Sequence, residues 1–370
     1  MKSLILIGDA RKRLAELPAG VARTCITSPP YFGLRDYGTA EWQGGDASCD
    51  HTISNADADN MKLTGDKGVG LERVTRGKRD ACIRCGATRI DSQIGLEETP
   101  DDYVREMVTL FREVHRVLSD DGTLWLNLGD SYAGNNSRSS NNGRAGYGND
   151  REGVFSRGGD GLKTKDLIGI PWRVALALQA DGWYLRQDII WAKPNPMPES
   201  VQDRCTKSHE YVFLLSKQPR YYYDHVAIRE PVATSTAERV RRGVSANYKY
   251  VNGTHGQAKQ TIAQPREHDA DRDVPETRNR RDVWMIATRP FKGAHFAVMP
   301  ETLVEPCILA GSQAGDTVLD PFTGSGTVAV VANRYGRNYV GTELNPEYAE
   351  IARERITGDS PLLNEVEVQA

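Results

Sequence analysis

What this sequence lacks narrows the reading first. No apolar run in its 370 residues is long enough to cross a bilayer, and the N-terminal run Leu4 to Ile7 is too short for a signal peptide. A cytoplasmic protein with no membrane contact is therefore expected. An excess of charge is also missing: 47 Lys and Arg stand against 50 Asp and Glu, a net charge of −3. Any nucleic-acid contact must then come from local basic patches, because the bulk field offers none. Cysteine is scarce and unevenly placed. Cys25, Cys205 and Cys307 are scattered, whereas Cys49, Cys82 and Cys85 gather with His51. In a cytosolic chain such a cluster suggests a metal before a disulfide. What is present, 39% hydrophobic and 26% charged residues, is the composition of a soluble globular protein. The length suits one large α/β domain with insertions, or two ordinary domains.

Strand and helix signals alternate along the chain. Leu4 to Ile7 reads as a buried strand ending at Gly8-Asp9, Arg11 to Leu17 as a short helix stopped by Pro18, and Ala22 to Ile26 as the next strand. This is the grammar of a doubly wound sheet, in which ligands gather outside the carboxyl ends of strands. Thr99-Pro100-Asp101-Asp102 starts a helix, with Thr as N-cap, Pro at the first position and acids in the first turn. Its apolar face runs from Tyr103 to Leu118 and the helix closes at Asp121-Gly122. Further strands are expected at Thr123–Leu128, Tyr184–Trp191, Tyr211–Leu215, Thr317–Leu319 and Asn338–Gly341, about seven in all. Helices are expected over Leu167–Gln179, Pro300–Leu309, Val328–Asn333 and Glu347–Arg355.

Three segments break this periodicity. Between Gly33 and Gly95 lie Cys49-x-His51 and Cys82-x-x-Cys85-Gly86, separated by a polar stretch. Cys-x-x-Cys-Gly is a frequent half-site for tetrahedral zinc, and Cys49 with His51 supplies the other half; four protein ligands would make the ion structural. The competing reading is four unrelated residues in a flexible insertion. Gly134 to Lys165 has too few apolar groups to fold alone. It is either a loop that orders on a nucleic-acid backbone or a plain insertion. Val232 to Lys292 is Arg-rich and holds Tyr248, Tyr250 and Trp284, which suits a nucleic-acid reader or a solvated linker.

Two motifs carry the chemistry. Thr27-Ser28-Pro29-Pro30-Tyr31 follows a buried strand: the prolines stiffen the backbone and leave carbonyls free, Ser28 adds a hydroxyl, and Tyr31 adds a flat face. Together they form an acceptor ledge beside a stacking platform, suited to a planar group bearing an amine. Near the other end, Asp320-Pro321-Phe322-Thr323-Gly324-Ser325-Gly326-Thr327 links a strand to a helix, and the next strand closes on Thr342-Glu343-Leu344-Asn345. Strand, Gly-x-Gly turn, helix and a strand ending in an acid form a nucleoside half-site, the acid taking ribose hydroxyls. The third glycine of the dinucleotide fingerprint is absent, which turns the ligand from NAD towards S-adenosylmethionine.

With Ser28-Pro29-Pro30-Tyr31, the Asp320–Thr327 motif and Gly341-Thr342-Glu343 together, the sequence resembles the DNA amino-methyltransferases that modify cytosine N4 or adenine N6. The catalytic motif precedes the cofactor motif, which resembles the circularly permuted β class. The resemblance implies a Rossmann-like methyltransferase fold, α/β with a mostly parallel sheet and helices on both faces. It implies double-stranded DNA as partner and a flipped target base. Ser28 and the Pro29 carbonyl would accept the amine hydrogens while Pro30 and Tyr31 complete the ledge. Phe322, Gly324 and Gly326 would line the methionine end of the cofactor, Glu343 the ribose and Asp9 the adenine edge. Thr27, Asp320, Pro321, Ser325, Thr327 and Asn345 would complete that site, and Lys292-Gly-Ala-His295-Phe296 would close over it. Ser28 favours cytosine N4 over adenine N6; an RNA or protein-amide methyltransferase is a more distant reading. A homodimer and a cognate restriction endonuclease are compatible with the family.

The organisation expected is a methyltransferase domain over 1–34, 96–231 and 293–358, with an insertion at 35–95 and a recognition or linker segment at 232–292. A mobile polar loop at 134–165 and a tail at 359–370 complete it.

Overall fold

The computed structural model describes residues 1–33, 38–51, 81–82, 84–133, 162–235, 276–289, 298–361 and 364–370. Its centre is a nine-stranded sheet. In chain order the strands are β1 (Lys2–Ile7), β2 (Ala22–Thr27), β5 (Leu118–Leu128), β6 (Tyr184–Ala192), β7 (His209–Ser216), β10 (Val283–Met285), β11 (Thr317–Asp320), β12 (Asn338–Glu343) and β13 (Glu365–Gln369). Across the sheet they lie in the order β10-β6-β7-β5-β2-β11-β12-β1-β13. All neighbours pair parallel except β7, which runs antiparallel to both β5 and β6. Two small ribbons lie outside it: β3 (Glu41–Gln43) with β4 (Thr88–Ile90), and β8 (Glu230–Pro231) with β9 (Thr277–Arg278).

Period-two alternation decides which side chain faces which helix layer. Leu6, Cys25, Leu124, Leu126, Phe213 and Leu319 point to one face, where they meet α1 (Ala10–Glu16), α2 (Pro100–Val117) and α3 (Ile170–Ala180). Ile5, Ile26, Trp125, Val212, Leu214 and Val318 point to the other, against α4 (Glu301–Gly311), α5 (Thr327–Arg334) and α6 (Pro346–Asp359). The result is a three-layer sandwich with a core on each face.

The longest helix shows how sequence sets these layers. The Thr99 hydroxyl accepts from the Asp102 N–H at 3.1 Å, Pro100 occupies the first turn, and Asp101 and Asp102 complement the helix dipole. Tyr103, Met107, Leu110, Phe111, Val114 and Val117 are fully buried on one stripe. At about 1.5–3 kcal/mol per side chain, that stripe contributes on the order of 10 kcal/mol.

Three expectations need correction. The helix ends at Val117, short of Asp121-Gly122, because Leu118 already pairs with Ala22 in the sheet. The expected tail carries structure: Glu365–Gln369 alternates polar and apolar residues and adds an edge strand beside β1. Trp284, read as one of the aromatics of a nucleic-acid-reading segment, is buried in the second core on β10, its indole N–H donating to the Arg281 carbonyl at 2.8 Å. Tyr248, Tyr250 and residues 134–161 of the polar stretch lie outside the described residues. Among the described residues no helix is long and apolar enough to cross a membrane.

Candidate active site

Because β1, β2, β5, β11 and β12 are parallel, their carboxyl ends meet at one edge of the sheet. A cavity of about 610 Å³ opens there. Ser28, Pro29, Pro30 and Tyr31 line it from β2; Asp320, Pro321, Phe322, Gly324, Ser325 and Thr327 line it from β11 and α5. Asp9 and Glu343 complete the wall from β1 and β12. Two motifs almost 300 residues apart thus share one cavity.

The ledge is held from behind. The buried Asn127 amide is oriented by its Nδ2, which donates to the Tyr211 carbonyl at 3.1 Å and to Glu210 Oε2 at 3.2 Å. Its Oδ1 therefore accepts, taking the Ser28 Oγ–H at 3.1 Å and the Tyr31 O–H at 3.1 Å. With the Ser28 proton given to Asn127, the lone pairs that remain on the Ser28 oxygen can face the cavity. Tyr31 also donates to Glu210 Oε2 at 2.7 Å. Burial, reinforced by the Glu210 charge, pushes the Tyr31 phenol well above its ordinary value, so it stays a neutral donor. Glu210 pairs with Lys193, whose ammonium lies 4.3 Å from the Trp191 ring centroid. The Pro30 carbonyl accepts from Tyr103 at 3.0 Å, which fixes the turn.

The second motif is built on backbone. Glu343 Oε2 accepts from the Gly324 N–H at 2.8 Å and Oε1 from the Asn345 N–H at 3.0 Å. Burial raises its pKa against these two hydrogen bonds. Asp320, 1% exposed, accepts from Thr27 Oγ1 at 2.6 Å and from the Phe322 N–H at 3.0 Å, and burial pushes its carboxyl up to about 7.

Several expected site residues stand behind the cavity wall or line it with polar groups already engaged. Thr27 meets it only through Asp320. Gly326, at φ +75°, starts α5, and a Cβ there would lie 3.0 Å from Ala352 Cβ on α6, so its close approach is to that helix. Asn345 caps α6, accepting from the Glu347 N–H at 2.9 Å. The Ser325 and Thr327 hydroxyls take Arg355 at 3.1 and 2.8 Å. Asp9 lines the cavity, but its carboxylate already caps α1 and holds Arg11 at 2.7 Å. His295 and Phe296 lie outside the described residues.

Asn127, Glu210 and Lys193 are the residues that sequence reading missed. Asn127 carried a signal, a lone amide in the apolar run Thr123–Leu128. Glu210 carried none, because only the antiparallel direction of β7 brings its first residues to the edge where the other strands end.

The Cys/His insertion is drawn together as well. One donor atom each from Cys49, His51, Cys82 and Cys85 lies within 4.8 Å of every other. Cys49 and Cys82 sulfurs are 3.9 Å apart, and Cys85 Sγ lies 3.3 Å from His51 Nδ1. Tetrahedral zinc with bonds of about 2.3 Å to sulfur separates two thiolates by about 3.8 Å, so the spacing fits that ion. The Arg84 N–H also points at Cys82 Sγ, at 3.4 Å. Gly45, at φ +72°, is required beside them: a Cβ there would sit 2.7 Å from Cys85 Sγ.

Comparison with known proteins gives the family. The family model described as DNA methylase, of the N6 and N4 type, matches residues 22–354. The chain is 41% identical over 357 residues to the type II methyltransferase M.Cfr9I of Citrobacter freundii, spanning 95% of this chain and 87% of that one. It is 40% identical to the type II methyltransferase M.SmaI of Serratia marcescens, spanning 95% and 90%. Among solved structures, a Thermus thermophilus protein assigned as a DNA modification methylase, complexed with S-adenosyl-L-methionine, superposes with a TM-score of 0.53. Its 20% identity, over 99% of this chain and 98% of that one, makes this a likeness of fold.

Proposed function

This chain belongs to the DNA methylase family of N4 and N6 amino-methyltransferases, and from that premise we propose a type II enzyme that methylates cytosine N4. The methyl donor is S-adenosylmethionine and the target is a base flipped out of double-stranded DNA. One observation carries the reading: the acceptor ledge and the nucleoside half-site face the same cavity. A base inside a duplex cannot reach such a site, so it must leave the stack.

The exocyclic nitrogen of cytosine is a poor nucleophile because its lone pair is delocalised into the ring. Ser28 Oγ and the Pro29 carbonyl accept the two amine hydrogens, which draws that lone pair back onto nitrogen. Ser28 serves this role because Asn127 holds its own proton elsewhere. Tyr31 stacks on the flipped base, its hydroxyl anchored on Glu210. When bound, S-adenosylmethionine would supply an electrophilic methyl group whose C–S bond breaks as the N–C bond forms; the proton that nitrogen sheds would pass along the Ser28 side of the ledge to solvent. Positioning and electrostatics account for most of the acceleration.

Glu343 takes the ribose hydroxyls, and Phe322 and Gly324 flank the methionine end. Asp9 meets the adenine edge only with the lone pairs that Arg11 leaves it. Ser28 in place of Asp resembles the cytosine-N4 members of the family, which favours cytosine N4 over adenine N6. The order of the motifs along the chain supports the permuted β class, and the donor set of the insertion supports a structural zinc ion.

The test is transfer from labelled S-adenosylmethionine to unmethylated duplex DNA, followed by digestion to nucleosides and mass spectrometry. N4-methylcytosine is the expected product. N6-methyladenine would preserve the ledge mechanism and overturn the target base. No product on DNA, with cofactor still bound, would overturn the substrate.

A further inference from the structure

We propose that the Cys49–His51–Cys82–Cys85 cluster is a zinc staple for the wall of the cofactor cavity, so that metal occupancy sets affinity for S-adenosylmethionine. This inference rests on the cofactor reading above.

The insertion forms a stalk with the cluster at one end and the cavity at the other. From the cavity, Thr39 leads into β3, and Cys49 and His51 follow; Cys82 and Cys85 precede β4, which returns to Asp91. The ladder between them has only three residue pairs. Little apolar surface supports it: Ile90 is 44% exposed and Trp42 is half-buried, resting on the His51 ring at 4.8 Å between centroids. A two-stranded ribbon this short is not stable alone, so it needs a tie at its far end.

Beyond the near end lies a strip of cavity wall. Ser92, Gln93 and Ile94 line the cavity directly after β4, opposite Thr39. Asp91 closes that end, its Oδ1 accepting from the Gln93 N–H at 3.1 Å and from Thr39 at 3.4 Å. Arg11 then fastens the strip to the cofactor side. One guanidinium donates to the Ser92 carbonyl at 3.2 Å, to Asp9 at 2.7 Å and to Glu106 on α2. On the catalytic side the Gly95 carbonyl accepts from the Gly33 N–H at 2.8 Å, and a Cβ on Gly95 would lie 3.1 Å from the Tyr31 carbonyl. The strip therefore touches both halves of the site. Two ligands that order the same element bind cooperatively, and the coupling is reciprocal.

The test uses the full-length chain. Zinc per chain is measured by atomic spectroscopy and S-adenosylmethionine affinity by calorimetry, before chelation, after it, and after zinc is restored. We expect one zinc per chain, at least a tenfold rise in cofactor Kd on its removal with the thermal unfolding transition of the sheet retained, and recovery on reloading. Cobalt in place of zinc should give the visible absorption of a tetrahedral thiolate site. Cys85→Ser should reproduce the loss, and Cys205→Ser, at an exposed cysteine outside the cluster, should not. If Cys85→Ser does not fold, the chelated wild-type chain decides. A chain that holds no zinc even after reconstitution, or a Kd unchanged within twofold, overturns the proposal. Zinc-loaded protein that binds no S-adenosylmethionine overturns the coupling by way of the cofactor reading, and the zinc count identifies which half failed.

Discussion

The Thr27 hydroxyl donates a 2.6 Å hydrogen bond to the Asp320 carboxylate, joining residues 293 positions apart. Thr27 is the last residue of β2 before the Ser28–Tyr31 ledge, and Asp320 is the last of β11 before the Gly-x-Gly turn. The two halves of the site are thus locked to each other at their bases, below the level at which either meets a ligand.

A pH dependence follows from this pair. Burial lifts Asp320 to about 7, against about 3.9 for an aspartyl side chain in water, and the hydrogen bonds from Thr27 and Phe322 keep it from rising further. The folded state therefore holds the proton more tightly than the unfolded chain. The stability this contributes is fully present below about pH 4 and is lost as pH rises through about 7. Asp320→Asn keeps an acceptor for both donors and cannot ionise. Between pH 5 and pH 8, in the absence of cofactor, wild-type stability should fall relative to Asp320→Asn, by at most roughly 3 kcal/mol. Urea unfolding at the two pH values measures this; parallel losses in the two proteins would contradict it.

How much of this was legible in sequence follows from how local each signal is. α2 could be read from Thr99 to Val117 because cap, proline, acids and apolar stripe all lie within one segment. The same holds for the strand-turn-helix around Gly324 and Gly326, where a backbone need is written as glycine. The edge strands β10 and β13 were harder: three residues and five carry little periodicity, and only the neighbouring β6 and β1 give them partners. Glu210 and Lys193 depend on the direction of a strand, which a sequence does not display. The Cys/His cluster could be paired on paper because metal chemistry restricts the donors, whereas its link to the cavity through Arg11 and Ser92 required coordinates.

Asn127 is a positioning residue. Its Oδ1 parks the Ser28 proton and its Nδ2 holds Glu210, yet its role in the proposed reaction is only through them. Asn127→Ala should lower kcat by roughly 10- to 100-fold, the range expected when buried partners worth about 1–3 kcal/mol are left unpaired. The Kd for S-adenosylmethionine should change by less than about threefold. Single-turnover methylation and calorimetry separate the two quantities. An equal loss in both would place Asn127 in the cofactor site.

Gly129 tests whether the Tyr31 ring must stay where it is. A Cβ on Gly129 would fall 2.5 Å from Tyr31 Cε2 and 3.0 Å from Cδ2, closer than two carbons can approach. The clash is with a side chain and not with backbone, so Gly129→Ala should turn Tyr31 from its place against Glu210. The expected result is a folded protein, with its melting temperature within a few degrees of wild type, that binds cofactor and has lost most of its turnover. A variant with full activity would show that the ring position is not critical.

On the proposed function, Tyr31 and Glu343 serve different ligands in the one cavity. Tyr31 is fixed by Asn127 and Glu210, on the side where β5 and β7 meet the cavity, and touches none of the groups that hold Glu343. Glu343 is fixed by the Gly324 and Asn345 N–H groups, on the side of β12. Tyr31→Ala should therefore retain cofactor binding and lose most turnover, because it removes a stacking face worth about 1–3 kcal/mol per base together with the ledge it stiffens. Tyr31→Phe should lose less, keeping the face and dropping the hydroxyl's anchors on Asn127 and Glu210. Glu343→Ala should weaken the cofactor by at least tenfold, since a carboxylate that takes two hydroxyls forms charge-assisted hydrogen bonds. Calorimetry with S-adenosylmethionine and methyl transfer at saturating cofactor distinguish these outcomes. The opposite pattern, with Tyr31→Ala losing cofactor and Glu343→Ala losing only turnover, would mean that base and donor enter the cavity from sides the reverse of those argued above.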